Sequence, residues 1–312
     1  MNPSNRVDLG VQVGALRLKN PIIAAGGTFG YGVEFAHLVD LNRLGGFVTK
    51  GISKEPIEGA PAPRLHETAS GMLNAVGLQN IGVEAFVRDK LPLLRKYNTH
   101  LIVNVFGHCL NDYVSVVDRL EEADGISAYE LNISCPNVKQ GGMQFGSTPG
   151  LVEEVVGAAR KAAVKRPLWI KLSPLVTDIG IIARASEAAG ADALTVANTY
   201  PAMGVDVRTG RSVLGNATGG LSGPAIRPIS LRLVWEVCKS VKIPVIGLGG
   251  IETVGHVLEY VMVGASAVQV GTASFADPQA SEKIVAGLER GLEGIKALTF
   301  SEIRGKFKGE TG

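Results

Sequence analysis

Short runs of apolar residues recur along the chain, and most of them end at a Gly, Lys or Asn. Eight such runs occupy residues 21–26, 46–50, 101–106, 128–132, 168–171, 193–198, 244–249 and 267–271. Runs in which nearly every position is apolar are typical of strands buried on both faces, as in a parallel sheet. The pattern therefore predicts eight buried parallel strands.

Amphipathic segments with helical spacing separate most of these runs. They cover residues 83–97, 111–122, 149–165, 178–190, 224–240, 253–263 and 277–296. Eight strand-then-helix units in a chain of 312 residues predict a TIM (β/α)8 barrel, an α/β fold forming a single domain over residues 1–312. The alternative is an open doubly wound sheet, which is disfavoured because no Gly-x-Gly-x-x-Gly element follows the first strand.

Residues 7–18 precede the first buried run and alternate apolar and polar positions around Gly14. This alternation predicts a short N-terminal β-hairpin. We expect the hairpin to cap one end of the barrel.

Polar and small residues stand where the predicted strands end. In a barrel these ends face one bowl, which would contain Gly26, Lys50, Asn104, Asn132, Lys171, Asn198, Gly249 and Gly271. A single lysine at a strand end is often a surface residue with its charge in solvent. Two lysines and three asparagines on separate strands favour a binding site.

Three connections are longer than packing requires, and each follows a strand. They cover residues 51–80, 133–147 and 199–223, so all three lie at the C-terminal face, where barrels build their substrate sites. Residues 140–147 are rich in Gly and predict either a mobile lid or a plain connector.

The last two predicted strands end in Gly249-Gly250 and Gly271-Thr272. Gly allows backbone N–H groups to face a ligand there, and barrels commonly bind phosphate after strands seven and eight. Flavin mononucleotide (FMN) would satisfy the whole bowl, with its phosphate at these glycines and its ring across the strand ends. Lys171 or Lys50 would then stabilise the negative charge of the reduced ring.

Residues 130–137, Glu-Leu-Asn-Ile-Ser-Cys-Pro-Asn, concentrate polar groups and a thiol at a strand exit. Asn and Pro are ordinary turn formers, and a buried Cys is most often a small apolar filler. On its own the octapeptide leaves a turn and a reactive site equally open. Beside the two lysines, it indicates a site in which Cys135 is reactive and Asn132 and Asn137 hold a flat polar ligand.

The charge and the cysteines exclude several classes of protein. A net charge of +2 without a long basic run gives no support to a nucleic-acid partner. Cys109, Cys135 and Cys238 are too few and scattered for a disulfide framework, a zinc site or an iron–sulfur cluster, and they favour a reducing, cytoplasmic setting.

Other patterns are missing from the sequence. The N-terminus lacks the layout of a signal peptide, and no apolar run is long enough for a membrane span. The five histidines show no metal-ligand spacing, so no metal site is predicted. No Gly-x-Ser-x-Gly element supports a serine hydrolase.

Three motifs together resemble the dihydroorotate dehydrogenases, and among them the class 1B catalytic subunits. They are Asn-Ile-Ser-Cys-Pro-Asn at 132–137, Ser-Gly-Met-Leu-Asn-Ala-Val-Gly-Leu-Gln-Asn at 70–80, and Gly-Gly-Leu-Ser-Gly-Pro at 219–224. The first motif is shared with related pyrimidine-reducing flavoenzymes, and the other two are more particular. The resemblance runs from about residue 6 to about residue 300.

The resemblance implies an FMN-bearing barrel that oxidises (S)-dihydroorotate to orotate in pyrimidine (UMP) synthesis. It implies that Cys135 takes the proton from C5 of the substrate, and that Lys50 is a second catalytic residue touching both flavin and substrate. The implied substrate shell consists of Lys50, Asn74, Ala75, Val76, Gly77, Leu78, Asn132, Asn137, Asn198 and Thr199. The implied FMN shell consists of Gly26, Thr49, Lys50, Asn104, Asn132, Lys171, Ala197, Gly223, Gly249, Gly250, Gly271 and Thr272.

The resemblance also implies a partner. Class 1B enzymes work with a subunit that carries FAD and a [2Fe–2S] cluster and passes electrons to NAD, in a heterotetramer with two of each chain. The alternatives are a class 1A homodimer that reduces fumarate, a dihydropyrimidine dehydrogenase-like subunit, and a phosphate-binding barrel without redox activity.

Overall fold

The computed structural model describes residues 7–134 and 145–309. The strands in these ranges are β1 Val11–Val13, β2 Leu16–Leu18, β3 Ile22–Ala24, β4 Gly46–Val48, β5 Leu65–Thr68, β6 Gly71–Asn74, β7 His100–Val105, β8 Ala128–Asn132, β9 Leu168–Lys171, β10 Ala193–Val196, β11 Tyr200–Ala202, β12 Val205–Asp206, β13 Arg211–Ser212, β14 Gly219–Ser222, β15 Val245–Leu248 and β16 Ala267–Val270. Eight of them coincide with the eight predicted strands.

Those eight strands close into a barrel in the order β3-β4-β7-β8-β9-β10-β15-β16. Every neighbouring pair is parallel. Their apolar side chains are buried on both faces, as Leu131, Ile170 and Leu194 illustrate. The predicted TIM barrel is confirmed, and the open sheet is excluded by the closure.

The helices pack around the barrel. They are α1 Gly82–Ala85, α2 Leu91–Leu94, α3 Leu110–Glu121, α4 Pro149–Ala162, α5 Ile179–Ala188, α6 Arg227–Ser240, α7 Val254–Met262, α8 Ala273–Ala276 and α9 Ala280–Gly294. Residues 25–45, all of them described, contain no α-helix and only a 3-10 turn at Leu41–Arg43. The first strand of the barrel, β3, is thus followed by turns instead of a helix.

The helix predicted over residues 83–97 is divided into three pieces. A π-helical turn, Phe86–Lys90, separates α1 from α2. Pro92 lies in the first turn of α2. Proline has no N–H to donate to the preceding turn, and it is tolerated where a helical segment begins.

β1 pairs with β2 in an antiparallel hairpin, which confirms the N-terminal hairpin predicted from the alternation of apolar and polar residues. Gly14 adopts a positive φ of 56° in its turn, a conformation that glycine takes at little steric cost. His100 Nε2 lies 3.0 Å from the carbonyl oxygen of Arg17. β7 begins at His100. The hairpin therefore lies against the amino ends of the barrel strands, on the face opposite the carboxyl ends that form the predicted bowl.

A second sheet lies at the mouth of the barrel and was not predicted. It is antiparallel, with the order β11-β14-β6-β5. Asn74 of β6 pairs with Gly220 of β14, although 146 positions separate them in the chain. Two of the predicted long connections are therefore folded together over the strand ends.

Candidate active site

The carboxyl ends of the barrel strands open into a cavity of about 430 Å³. This volume lies within the range of about 300–1,000 Å³ usual for small-molecule sites. Nearly all of the predicted site residues line it: Gly26, Lys50, Asn74, Ala75, Val76, Gly77, Leu78, Asn104, Asn132, Lys171, Ala197, Asn198, Thr199, Gly223, Gly249, Gly250, Gly271 and Thr272.

The sequence reasoning did not assign the other lining residues to the site: Ala25, Gly27, Thr28, Gly51, Gln79, Ser134, Leu175, Pro201, Asn216, Thr218, Gly219, Gly220, Ser222, Ile226, Leu248 and Phe275. Many of them belong to the long connections or to the three family motifs. Their place in the chain, directly after a strand end, was the signal that could have assigned them to the site. Among the described lining residues, Lys50 and Lys171 are the charged ones, and there is no carboxylate. The cavity therefore favours an anionic ligand.

Lys50 follows β4 at the rim of the cavity. Its Nζ lies 3.3 Å from Gln79 Oε1, which also accepts a hydrogen bond of 2.9 Å from Arg64 Nη1. Burial lowers the pKa of Lys50, and the positive charge of Arg64 lowers it further. Gln79 thus binds the side chains of both Lys50 and Arg64, and of these two cations Lys50 is the one that lines the cavity.

Asn132, at the end of β8, lies in a network with the strand end of β10. Its Oδ1 accepts a hydrogen bond of 2.6 Å from Ser134 Oγ. Asn198 Nδ2 donates to Ser134 Oγ at 2.5 Å, and Asn198 Oδ1 accepts from the Thr199 N–H at 2.8 Å. Tyr113 fixes the backbone by donating to the Asn132 carbonyl oxygen at 3.0 Å. The amides are therefore held in fixed orientations before any ligand binds.

Asn74 reaches the same cavity from the second sheet. Its Nδ2 donates to the Gly220 carbonyl oxygen at 3.0 Å. A Cβ atom at Gly220 would lie 2.1 Å from Thr199 Oγ1, so only glycine permits this close approach. Residues from two distant segments, Asn74 and Thr199, thereby meet at one wall.

Beneath the floor of the cavity lies a buried carboxyl group that the sequence reasoning did not assign to the site. Glu130, on β8, is fully buried. It lies close to Lys171, whose pKa is lowered by burial while the Glu130 carboxylate acts in the opposite direction. The signal was available in the sequence, because a carboxylate within a buried apolar strand requires partners.

Gly249 and Gly250 form a backbone cradle after β15. Their φ angles are 137° and 64°, in the region that favours glycine. A Cβ atom at Gly249 would lie 2.3 Å from Ser230 Oγ, and one at Gly250 would lie 2.7 Å from Arg227 Cβ. Bare backbone at this place fits a phosphate group, and Lys171 and Asn104 fit the polar ring of FMN. The residues present therefore fit that cofactor.

Of the predicted site residues, Thr49 does not line the cavity, and two others lie outside the described residues. Thr49 is fully buried behind the rim, where its Oγ1 accepts a hydrogen bond of 3.1 Å from the Asn104 N–H. Cys135 and Asn137 lie outside the described residues, as do residues 140–144 of the predicted lid. Phe145, at the end of that segment, is buried and packs edge-to-face on Tyr113, with 5.7 Å between ring centroids.

Two kinds of feature are absent from residues 7–134 and 145–309. No group of three His, Cys, Asp or Glu side chains in these ranges could hold a metal ion. No helix in them is long and apolar enough to cross a membrane.

The chain is similar to known proteins over nearly its whole length. A family model described as dihydroorotate dehydrogenase matches residues 8–292. A protein of Trichlorobacter lovleyi is 51% identical over 301 residues, covering 96% of this chain and 99% of its own. Proteins of Pelobacter propionicus and Thermodesulfovibrio yellowstonii are 51% and 50% identical, covering 96% of this chain and 98% and 99% of their own. All three are named "Dihydroorotate dehydrogenase B (NAD(+)), catalytic subunit".

Proposed function

The chain belongs to the dihydroorotate dehydrogenase family, and we propose that it oxidises (S)-dihydroorotate to orotate on bound FMN and delivers the electrons to NAD through a partner subunit. The family match covers residues 8–292. Relatives named as NAD(+)-linked catalytic subunits are about half identical to it over nearly their full length, which supports class 1B over the fumarate-linked class 1A.

The observation that carries the proposal is the charge pattern of the cavity. Lys50 and Lys171 line it together with asparagine amides, and no carboxylate of the described residues does. Dihydroorotate has one carboxylate and a flat ring of amide groups. Lys50 can pair with the carboxylate, while asparagine can both donate to the ring carbonyls and accept from the ring N–H groups.

The substrate would lie against the amides already held in place. Asn132 and Asn198 are fixed by Ser134, and Asn74 is fixed by Gly220. Because these amides are already ordered, binding a substrate would not carry the entropy cost of ordering them. Asn137, from the same motif, is proposed to complete this shell.

FMN would be held by its phosphate at Gly223, Gly249, Gly250, Gly271 and Thr272, and by its ring at Gly26, Lys50, Asn104, Asn132, Lys171 and Ala197. Thr49 would act from behind the rim, through its hydrogen bond from the Asn104 N–H. Bound FMN would supply an acceptor for the hydride that leaves C6 of the substrate. Lys171, which lines the cavity, would provide a positive charge that stabilises the negative charge developing on the flavin during reduction.

Cys135 is proposed to be the base that removes the proton from C5. Ser134, the residue before it, is buried and hydrogen-bonded to both Asn132 and Asn198. The chain is thus anchored up to the position that precedes the thiol. General-base catalysis by a positioned side chain typically contributes about 10²–10⁴-fold to a rate.

The electrons are proposed to leave through a second subunit that carries FAD and a [2Fe–2S] cluster, in a heterotetramer with two of each chain. Two features of the sequence support this: it contains no cysteine set for the cluster and no dinucleotide fingerprint. The product orotate would then enter pyrimidine (UMP) synthesis. The cytoplasmic location stays a prediction from the cysteine pattern.

The test uses the purified chain with and without its partner. We expect a flavin absorption spectrum that is bleached by dihydroorotate in the absence of oxygen. NAD reduction should require addition of an iron–sulfur flavoprotein subunit. Fumarate reduction by the chain alone would favour class 1A, bleaching by a dihydropyrimidine in place of dihydroorotate would favour a dihydropyrimidine dehydrogenase-like subunit, and a protein that binds no flavin would refute the proposal.

A further inference from the structure

Glu130 lies in the interior of the barrel and connects four strands. Its Oε1 accepts a hydrogen bond of 2.7 Å from Asn104 Nδ2 on β7. Its Oε2 accepts from Thr195 Oγ1 on β10 at 2.8 Å and from Gln269 Nε2 on β16 at 2.5 Å. A fully buried carboxylate with three donors is held in a single geometry.

The chemistry of a carboxylate determines how Asn104 faces the cavity. An ionised carboxylate only accepts hydrogen bonds, so Asn104 must turn its Nδ2 toward Glu130. Its Oδ1 is then directed toward Gly51 at the cavity wall, where a Cβ atom would lie 3.0 Å from it. Asn104 therefore presents a hydrogen-bond acceptor to whatever ring occupies the cavity.

Gln269 shows that this arrangement carries a cost. Its Nε2 is directed at Glu130, and its Oε1 is left buried without a hydrogen-bond partner. A buried acceptor without a partner is unfavourable. A core selected only for stability would gain from apolar side chains at Glu130 and Gln269, because replacing a buried polar group and its partner together is often neutral or stabilising.

Glu130 is also the opposing charge for Lys171. In the ranges that the structure describes, Lys171 forms no ion pair within 4 Å, and Glu130 is the charged group that acts on it. Lys171 lines the cavity, whereas Glu130 lies beneath it. The floor of the cavity is therefore close to neutral overall, with its positive end toward the ligand.

We propose that Glu130 is a positioning residue of the flavin site, which orients the Asn104 carbonyl toward the ring and balances the charge of Lys171. The inference rests on the proposed FMN site. It adds to that site a residue that lies beneath the cavity and acts through two residues that line it.

The test compares Glu130→Gln and Glu130→Asp with the wild type and with Glu121→Gln as a matched control. Glu121 is also a buried carboxylate, which accepts from Tyr129 Oη at 3.0 Å and from the Lys165 N–H at 3.0 Å, and it lines no part of the cavity. Three quantities are measured for each protein: FMN affinity of the apoprotein by fluorescence quenching, the midpoint potential of bound FMN, and the apoprotein Tm.

Glu130→Gln is expected to bind FMN about tenfold more weakly, because Asn104 loses its fixed orientation. Its midpoint potential should become more positive, because the unbalanced Lys171 charge favours the more negative reduced ring. Glu130→Asp keeps the charge, so it should retain the wild-type potential and lose affinity only. Glu121→Gln should lower Tm and leave affinity and potential unchanged.

Two results would overturn the inference. The first is a folded Glu130→Gln protein with wild-type FMN affinity and potential, whatever its Tm. The second applies if that variant does not fold: a Glu130→Asp protein that binds FMN as tightly as the wild type. A wild-type chain that binds no FMN would instead refute the proposed function itself, so the two failures are distinguishable.

Discussion

Ser134 Oγ accepts a hydrogen bond of 2.5 Å from Asn198 Nδ2, and it donates one of 2.6 Å to Asn132 Oδ1. Ser134 follows β8 and Asn198 follows β10, so this contact bridges strands that are not neighbours in the barrel. The hydroxyl holds two amides of the proposed substrate shell at once. It also fixes the backbone immediately before the proposed base.

Replacing this hydroxyl is expected to slow turnover more than it weakens cofactor binding. Ser134→Ala removes two hydrogen bonds, each worth roughly 0.5–1.5 kcal/mol, so kcat should fall about tenfold or more while FMN affinity stays within about twofold. Steady-state kinetics with dihydroorotate and FMN titration check this. Ser186→Ala is the control, because it removes a buried hydroxyl whose bond is to Ile182 within α5. Equal losses in the two variants would contradict a role in the site.

Cys135→Ala is expected to keep the yellow flavin and to lose turnover by at least about 100-fold, the usual effect of removing a general base. In the wild type, kcat should rise with pH as the thiolate forms, since a thiol ordinarily has a pKa of about 8.5. Flavin absorbance and a pH–rate profile measure both effects.

The other two cysteines provide controls for that variant. Cys109 is exposed, and burial raises the pKa of Cys238 to about 12. Cys109→Ala and Cys238→Ala should therefore leave the pH–rate profile unchanged. A rate independent of pH in the wild type, or a Cys135→Ala protein that loses FMN but keeps turnover, would exclude Cys135 as the base.

As pH rises, substrate binding should weaken at a lower pH than it would if Lys50 had the pKa of an ordinary lysine. Burial and then Arg64 lower the pKa of Lys50, so its ammonium loses its proton at a lower pH than usual. KM for dihydroorotate is expected to rise as pH increases through that lowered pKa. Arg64→Gln removes one cause, and the rise in KM should move to higher pH.

Arg208→Gln serves as the comparison for the Arg64 variant. The Arg208 side chain is 88% exposed, so its replacement should leave the KM profile in place. If Arg64→Gln and the wild type share one KM profile, Lys50 is not the group that binds the substrate carboxylate.

Gly249→Ala tests the phosphate cradle. The new Cβ would lie 2.3 Å from Ser230 Oγ at a φ of 137°, so the backbone must shift. We expect a loss of about 1–3 kcal/mol in the free energy of unfolding. FMN affinity should fall at least about tenfold, by roughly 1.4 kcal/mol.

A second glycine variant separates the cradle from a general effect of adding a methyl group. Gly157 lies within α4, and a Cβ atom added there would have open space around it, with nothing within 4 Å. Gly157→Ala should therefore stabilise the helix by about 0.5–1 kcal/mol. Chemical denaturation and FMN titration of both variants provide the comparison. Unchanged FMN affinity in Gly249→Ala would place the phosphate elsewhere.

The barrel could be predicted because its signal is local. Each strand is a short apolar run, and the polar residue at its end marks where it leaves the barrel, as Lys171 does at the end of β9. The strand ends then had to converge, because parallel strands of one barrel share a direction. Most of the cavity lining followed from that one inference.

The second sheet could not be predicted in the same way. β5 and β14 are exposed or half-buried along their length and carry little apolar periodicity. β5 pairs with the neighbouring β6, but β6 pairs on its other side with β14, where 146 positions separate Asn74 from Gly220. Backbone hydrogen bonds between such distant segments leave no trace in residue type. The division of residues 82–94 into α1, a π-helical turn and α2 was also missed, although Pro92, in the first turn of α2, was visible in the sequence.

Glu130 and Gln79 were within reach of the sequence but were assigned no role. Glu130 stands in an apolar run, where a charge is costly unless it is paired. Gln79 belongs to one of the family motifs, yet its contact with Lys50 requires residues 51–80 to fold back over the rim. Side-chain networks of this kind depend on which strands face each other, which a single sequence does not specify.

The sheet at the mouth builds the proposed substrate wall from two segments of the chain. Its pairing of β6 with β14 joins Asn74 to the segment that carries Thr199, while the barrel strands hold the glycines and Lys171 proposed for the cofactor. Residues 65–78 and residues 200–222 meet along this pairing, so we expect that exchanging one of them alone between related barrels would bring unmatched side chains together. A change of substrate preference that leaves the proposed flavin residues unchanged is therefore expected to require replacement of both segments together, in evolution or by engineering.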